Sequence, residues 1–196
     1  MFKQLFAIVF VALISSSYSQ YVSRGQCEDR NIKPVKNFPG VNRYGDDGIL
    51  HRWYTVFTFN VKADCQEITF RRRSSLLTVS NFSLRQKDVS KDEWLPSSDG
   101  VITLASDNGE GIINVKYNNA ASPLQFKILG YNNSLYTIDY NCVNINSNSR
   151  RETLYARGRP RFYEQRVANE VEKILKDNGL ADIKRTYIYQ DEDDCF

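Results

Sequence analysis

From Trp53 onward the chain repeats one short pattern: a run of aromatic and β-branched residues, then a cluster of Asn, Gly, Ser or Pro. The runs are Trp53 to Val61, Cys65 to Arg72, Leu76 to Arg85, Val101 to Ala105, Gly111 to Tyr117, Leu124 to Gly130, Leu135 to Cys142 and Glu152 to Arg157. Between them lie clusters such as Pro96-Ser97-Ser98-Asp99-Gly100, Asp107-Asn108-Gly109 and Asn132-Asn133-Ser134. Such residues turn a strand back on its neighbour. Eight strands so joined predict an all-β domain, an eight-stranded antiparallel up-and-down β-barrel (a calyx), because closure removes every exposed sheet edge.

The period then changes. Val167, Val171, Ile174 and Leu175 recur at i, i+4, i+7 and i+8, the signature of an amphipathic helix. It should run from about Phe162 to Asn178, with Lys173 and Lys176 near its last turn and Gly179 as C-cap. Its apolar stripe needs cover, so one C-terminal α-helix should pack on the outside of the barrel. The acidic run Asp191 to Asp194 lacks the spacing and glycine of a calcium loop and reads as a solvated tail.

Residues 1–19 follow the secretory pattern: Lys3, an apolar run from Leu5 to Ile14, then Ser17 and Ser19 at the small positions before a cut. The run is too short to span a bilayer, and no later stretch could do so. Residues 20–196 then form a single domain. The four cysteines, Cys27, Cys65, Cys142 and Cys195, are even in number and far apart. In an oxidising compartment this reads as two disulfides, and spacing alone leaves three pairings open. No metal site is expected, since zinc wants close cysteine pairs. Asn81-Phe82-Ser83 and Asn132-Asn133-Ser134 are glycosylation sequons, so Asn81 and Asn132 should lie on the surface. A net charge of +3 gives no footprint for nucleic acid.

Several stretches resemble the lipocalins, and within them the group of apolipoprotein D, insecticyanin and the bilin-binding proteins. These are Cys27 … Asn37-Phe38 … Asn42-Arg43-Tyr44 … Arg52-Trp53-Tyr54, then Leu135-Tyr136-Thr137-Ile138-Asp139-Tyr140-Asn141-Cys142. Leu154-Tyr155-Ala156-Arg157 with Pro160, and Leu175-Lys176-Asp177-Asn178-Gly179-Leu180 leading to Cys195, complete the series. The chain departs from the family at His51-Arg52-Trp53, where a glycine usually precedes the Trp by two, at an added loop Gly45 to Ile49, and at Tyr131-Asn132-Asn133. The resemblance implies pairing of Cys27 with Cys142 and of Cys65 with Cys195. It also implies that Arg157 lies on Trp53 at the closed end of the cup, a structural contact rather than a catalytic one.

Strand alternation adds expectations about the cup. Phe57 and Phe59 share parity with Trp53 and should line it; Tyr155 and Thr153 should face inward with Arg157. A glycan on Asn81 would face out and turn Phe82 in. Phe126 shares a face with Ile128, inner or outer. Tyr136, Ile138 and Tyr140 share parity with Cys142 and fall beneath the helix if that cysteine reaches outward. Catalysis is not expected. The lone histidine, His51, falls at the closed end, and all four cysteines are committed to disulfides. The resemblance implies a secreted carrier that binds a small hydrophobic ligand, either a bile pigment such as biliverdin or a fatty-acid-like or sterol-like lipid. No cofactor is required, and biliverdin is the one candidate chromophore. The arginines at 71–73, 150–151, 157, 159 and 161 are either a solvated face or cations for ligand carboxylates. Trp94 either lids the open end or tucks onto its own hairpin. The alternative is a surface-acting, salivary-type lipocalin that inhibits or binds another protein. A homo-oligomer is also open.

Overall fold

A computed structural model describes residues 21–41, 49–59, 63–73 and 78–195. The secretory segment, the Asn42-Arg43-Tyr44 stretch and the added loop from Gly45 to Gly48 lie outside these. Eight long antiparallel strands follow one another: β2 (His51–Phe59), β3 (Asp64–Arg72), β4 (Val79–Asp88), β6 (Ser98–Leu104), β7 (Ile112–Tyr117), β8 (Leu124–Asn132), β9 (Tyr136–Asn146) and β10 (Ser149–Gly158). Each pairs with the next, and β10 pairs back with β2, which closes the barrel. Three short strands extend it. β1 (Tyr21–Arg24) lies on β10, β5 (Glu93–Trp94) on β4, and β11 (Arg185–Tyr187) on β2. The helix α1 spans Gln165–Asp177, three residues shorter at its start than its periodicity suggests. Gly179 ends it at φ 65°, with the Leu180 N–H bonded to the Leu175 carbonyl, a turn that glycine makes without Cβ strain.

Side chains segregate into two cores. The inner one fills the barrel and includes Trp53, Phe70, Phe82, Ile102, Phe126, Ile128 and Tyr155. The outer one lies between barrel and helix. Tyr136, Ile138, Tyr140 and Leu154 from the sheet meet Val167, Val171 and Leu175 from α1 there. Cys142 bonds to Cys27 and Cys65 to Cys195, the pairing that the family resemblance implied. With Cys142 reaching out to the N-terminal segment, its parity partners necessarily pack under the helix.

Phe57 and Phe59 overturn an expectation. Both belong to the outer core, where Phe57 packs edge-on to Tyr163. The cause is a β-bulge. Arg157 pairs with Thr55 but Ala156 pairs with Phe57, so Val56 is the extra residue. One extra residue reverses the facing of everything after it. Trp53 and Thr55 face in, and Phe57 and Phe59 face out.

Gly100 shows how closely neighbouring strands fit. A Cβ there would sit 2.2 Å from the Lys116 carbonyl oxygen and 2.7 Å from the Phe82 ring. Gly100→Ala should lower stability by ~1–3 kcal/mol through overpacking. The check is a lower urea midpoint at unchanged slope.

Candidate functional site

One end of the barrel is plugged. Phe38, Val41, Ile49 and Leu50 fold over it from the N-terminal segment and bury Trp53 completely. The Trp53 indole N–H donates to the Ile49 carbonyl at 2.8 Å. The arginine on this indole is Arg159, its guanidinium 3.8 Å from the ring centroid, and not Arg157. The register explains the correction. Gly158 pairs with Tyr54 and Arg157 with Thr55, so the residue that reaches Trp53 comes just past the end of β10. Hydrogen bonds from Arg159 to the carbonyls of Asn133 (2.9 Å) and Arg52 (3.1 Å) hold it there. The pair joins the β8–β9 turn to β2 and closes the base.

Arg157 points into the barrel instead and is buried, with 4 % exposure. It forms an ion pair with Asp139 from β9, which also accepts a hydrogen bond from the Thr137 hydroxyl at 2.7 Å. Its guanidinium lies 4.3 Å from the Tyr155 ring centroid, a cation–π contact. Burial pulls the guanidinium down to about 10, opposed by the neighbouring Tyr117 and Tyr163; it stays charged at neutral pH.

The cup therefore has two unlike walls. β9 and β10 present Thr137, Asp139, Asn141, Thr153, Tyr155 and Arg157, while β4, β6, β7 and β8 present Phe82, Ile102, Ile113 and Phe126. Tyr155 leans on Phe126 with centroids 6.2 Å apart. Phe82 meets Tyr117 edge-on at 5.1 Å. At the open end Tyr117, Leu124, Phe126, Asn141, Thr153 and Tyr155 surround a cavity of about 30 Å3, room for about one water molecule.

Of the aromatic residues singled out in the sequence, Phe82, Phe126 and Tyr155 meet in the cup and Phe57 and Phe59 do not. The polar wall was missed. A signal for it existed: once Tyr136, Ile138 and Tyr140 face the helix, Thr137, Asp139 and Asn141 must face in. His51 is exposed at the start of β2, on the plugged side. Trp94 tucks onto its hairpin under Arg85, whose guanidinium is 4.2 Å from its ring centroid. Asn81 and Asn132 are both exposed. The arginines disperse. Arg150 joins a buried network on the outer face, Arg161 stacks on Tyr54, and residues 71–73 are exposed near the closed end. Among the described residues, no helix is long and apolar enough to cross a membrane.

No family model matches the chain, and no curated protein matches it by sequence. Solved structures do. Insecticyanin from the tobacco hornworm Manduca sexta superposes with a TM-score of 0.69 at 14% identity, over 90% of this chain and 92% of that one. H1 crustacyanin from the lobster Homarus americanus gives 0.65 at 15% identity, over 88% and 92%. The amine binding protein of Rhodnius prolixus, solved as its tryptamine complex, gives 0.56 at 12% identity, over 88% and 93%. At such identities the likeness speaks for architecture, and the architecture of this chain is the lipocalin fold.

Proposed function

We propose that the protein is a secreted carrier that takes one small hydrophobic ligand into its cup from the open end. The observation that carries this reading is the two-walled cup: an aromatic and aliphatic surface to desolvate a ligand, facing polar groups that orient it. The secretory pattern of residues 1–19 and the two disulfides support an extracellular protein. The fold is shared with insecticyanin and with an amine binding protein. With about 30 Å3 at its mouth, the cup fills only when Tyr155 and Phe126 part to admit the ligand.

The arrangement favours a compact lipid over biliverdin. Cations at the mouth would strengthen the hold on a bile pigment's propionates. Arg150, Arg157, Arg159 and Arg161 already have carboxylate or aromatic partners, and residues 71–73 belong to the other end. Among the described arginines, Arg151 lines the mouth.

Titration with the neutral dye N-phenylnaphthylamine, followed by its fluorescence, tests the site. Wild type should bind one dye per chain. Thr153→Trp fills the mouth and should weaken binding by about tenfold or more, whereas Val101→Trp on the outer face should leave it unchanged. Equal binding by both variants would place the dye elsewhere and sink this reading. A second reading, action on a partner protein through the surface, has one observation in its favour. A groove of about 480 Å3 on the outer face of β6 and β7, bordered by Arg73, Val101, Thr103 and Lys116, is larger than the cup's mouth.

A further inference from the structure

The buried polar atoms without a hydrogen-bond partner among the described residues include Arg157 Nε and Thr55 Oγ1. Thr55 is wholly buried, and its register partner across the β2–β10 seam is Arg157. Directly opposed residues of an antiparallel pair share a face, so both belong to the inner side, beneath the ring of Tyr155. Buried polar groups without partners are rare and call for a cause. Here they form one donor N–H and one hydroxyl that can donate or accept.

Charge decides what can meet them. Glu67, Lys87, Arg150 and Glu152 are buried charges whose partners lie on the outer surface. Among the described residues, that leaves Asp139 and Arg157 as the buried charges of the cup, one of each sign and already paired. A ligand carboxylate placed on Arg157 would add a second anion against a single cation in a desolvated space. A protonated amine placed on Asp139 would do the reverse. Either leaves one buried charge uncompensated, a penalty larger than the hydrogen bond it would form. An uncharged oxygen carries no such penalty. A carbonyl accepts from Arg157 Nε and from the Thr55 hydroxyl; a ligand hydroxyl can also donate to Thr55.

We infer that the cup selects lipids with an uncharged, hydrogen-bond-accepting head group, an alcohol, ketone or ester, and discriminates against carboxylates and ammonium ions, with Arg157 Nε and Thr55 Oγ1 as the docking pair. This deepens the carrier reading and rests on it. Asp139 is the residue that sets the preference, because it cancels the charge of Arg157.

The test is displacement of N-phenylnaphthylamine at neutral pH by four molecules of one chain length: dodecanol, a dodecanone, dodecanoate and dodecylamine. Wild type should release the dye to the alcohol and ketone at concentrations about tenfold below those of the acid and amine. Asp139→Asn leaves Arg157 uncompensated and should move dodecanoate ahead of dodecanol. Thr55→Val keeps the volume, loses the hydroxyl, and should narrow the alcohol's advantage by about fivefold. If Asp139→Asn does not fold, Thr55→Val decides the matter alone. Equal displacement by all four molecules, or the same ranking in wild type and both variants, overturns the head-group rule and leaves the carrier standing. A dye that never binds overturns the carrier, and the rule with it.

Discussion

Glu152→Ala should lower the stability of the protein by ~3–5 kcal/mol, the cost of breaking a buried ion pair from one side. Glu152 is fully buried on the outer face of β10. Arg30 meets it at 2.9 Å and Arg150 at 3.1 Å. The hydroxyls of Ser23 and Tyr140 donate to it, Tyr140 at 2.7 Å. Arg30 also reaches the Gly179 carbonyl and Asp182, just beyond the helix. One carboxylate therefore joins β1, the N-terminal segment, β10 and the end of α1. Without it, two arginines remain in a space largely sealed from water. Burial pushes this carboxyl up, but the hydrogen bonds from Arg30, Ser23, Tyr140 and Arg150 outweigh it and hold the group below 4.5. A carboxylate depressed in the folded state contributes stability that is complete above its unfolded pKa and is lost as pH falls through the folded value. Wild type should therefore lose stability in acid, below about pH 4.5, and Glu152→Ala should show a flatter acid limb. Urea midpoints across that range check both. Equal acid slopes in the two proteins would remove Glu152 from the network's centre.

Arg157→Ala should cost a similar ~3–5 kcal/mol, and Arg159→Ala only about 1–2 kcal/mol. The two arginines differ by two residues and by their surroundings. Arg157 balances Asp139 inside the barrel, and its loss strands a buried carboxylate. Arg159 lies on Trp53 at the rim of the plug, with carbonyl partners that water can replace. The double variant Arg157→Leu/Asp139→Leu removes both charges and should recover much of the loss, because replacing a buried pair by apolar groups is often nearly neutral. Thermal melts resolve these differences, since 1 kcal/mol moves the midpoint of a domain this size by about 2–4 °C. If Arg159→Ala proved the more damaging, the ion pair would not be the element that holds the β9–β10 wall.

Much of this molecule can be read from its sequence. Turn clusters such as Asp107-Asn108-Gly109 bound the strands, because hairpins need those residue types. The spacing of Val167, Val171 and Leu175 marks the face that α1 buries, because a helix must cover its stripe. Inner and outer faces are legible only while alternation holds. Parity with Arg157 turns Tyr155 into the inner core, although the contact first expected of Arg157 belongs to Arg159. It fails at Phe57 and Phe59 because a single extra residue, Val56, reverses the strand, and no residue type announces that bulge. The same register places Arg159, not Arg157, on Trp53. The Arg157–Asp139 pair is a contact between neighbouring strands, and neither residue carries a local sign of it. β1, β5 and β11, at two to four residues, are too short to show a period and exist by lying on longer strands.

Native mass spectrometry of the protein purified from its own source, before and after extraction with organic solvent, shows whether the cup carries a ligand. The expected result is a complex heavier than the disulfide-bonded chain, with whatever modification it carries, by the mass of one small molecule. That mass should disappear on extraction and be recovered in the solvent as an uncharged lipid. A bare chain with an empty extract, from material that still binds a partner protein, would contradict it and favour action through the outer surface.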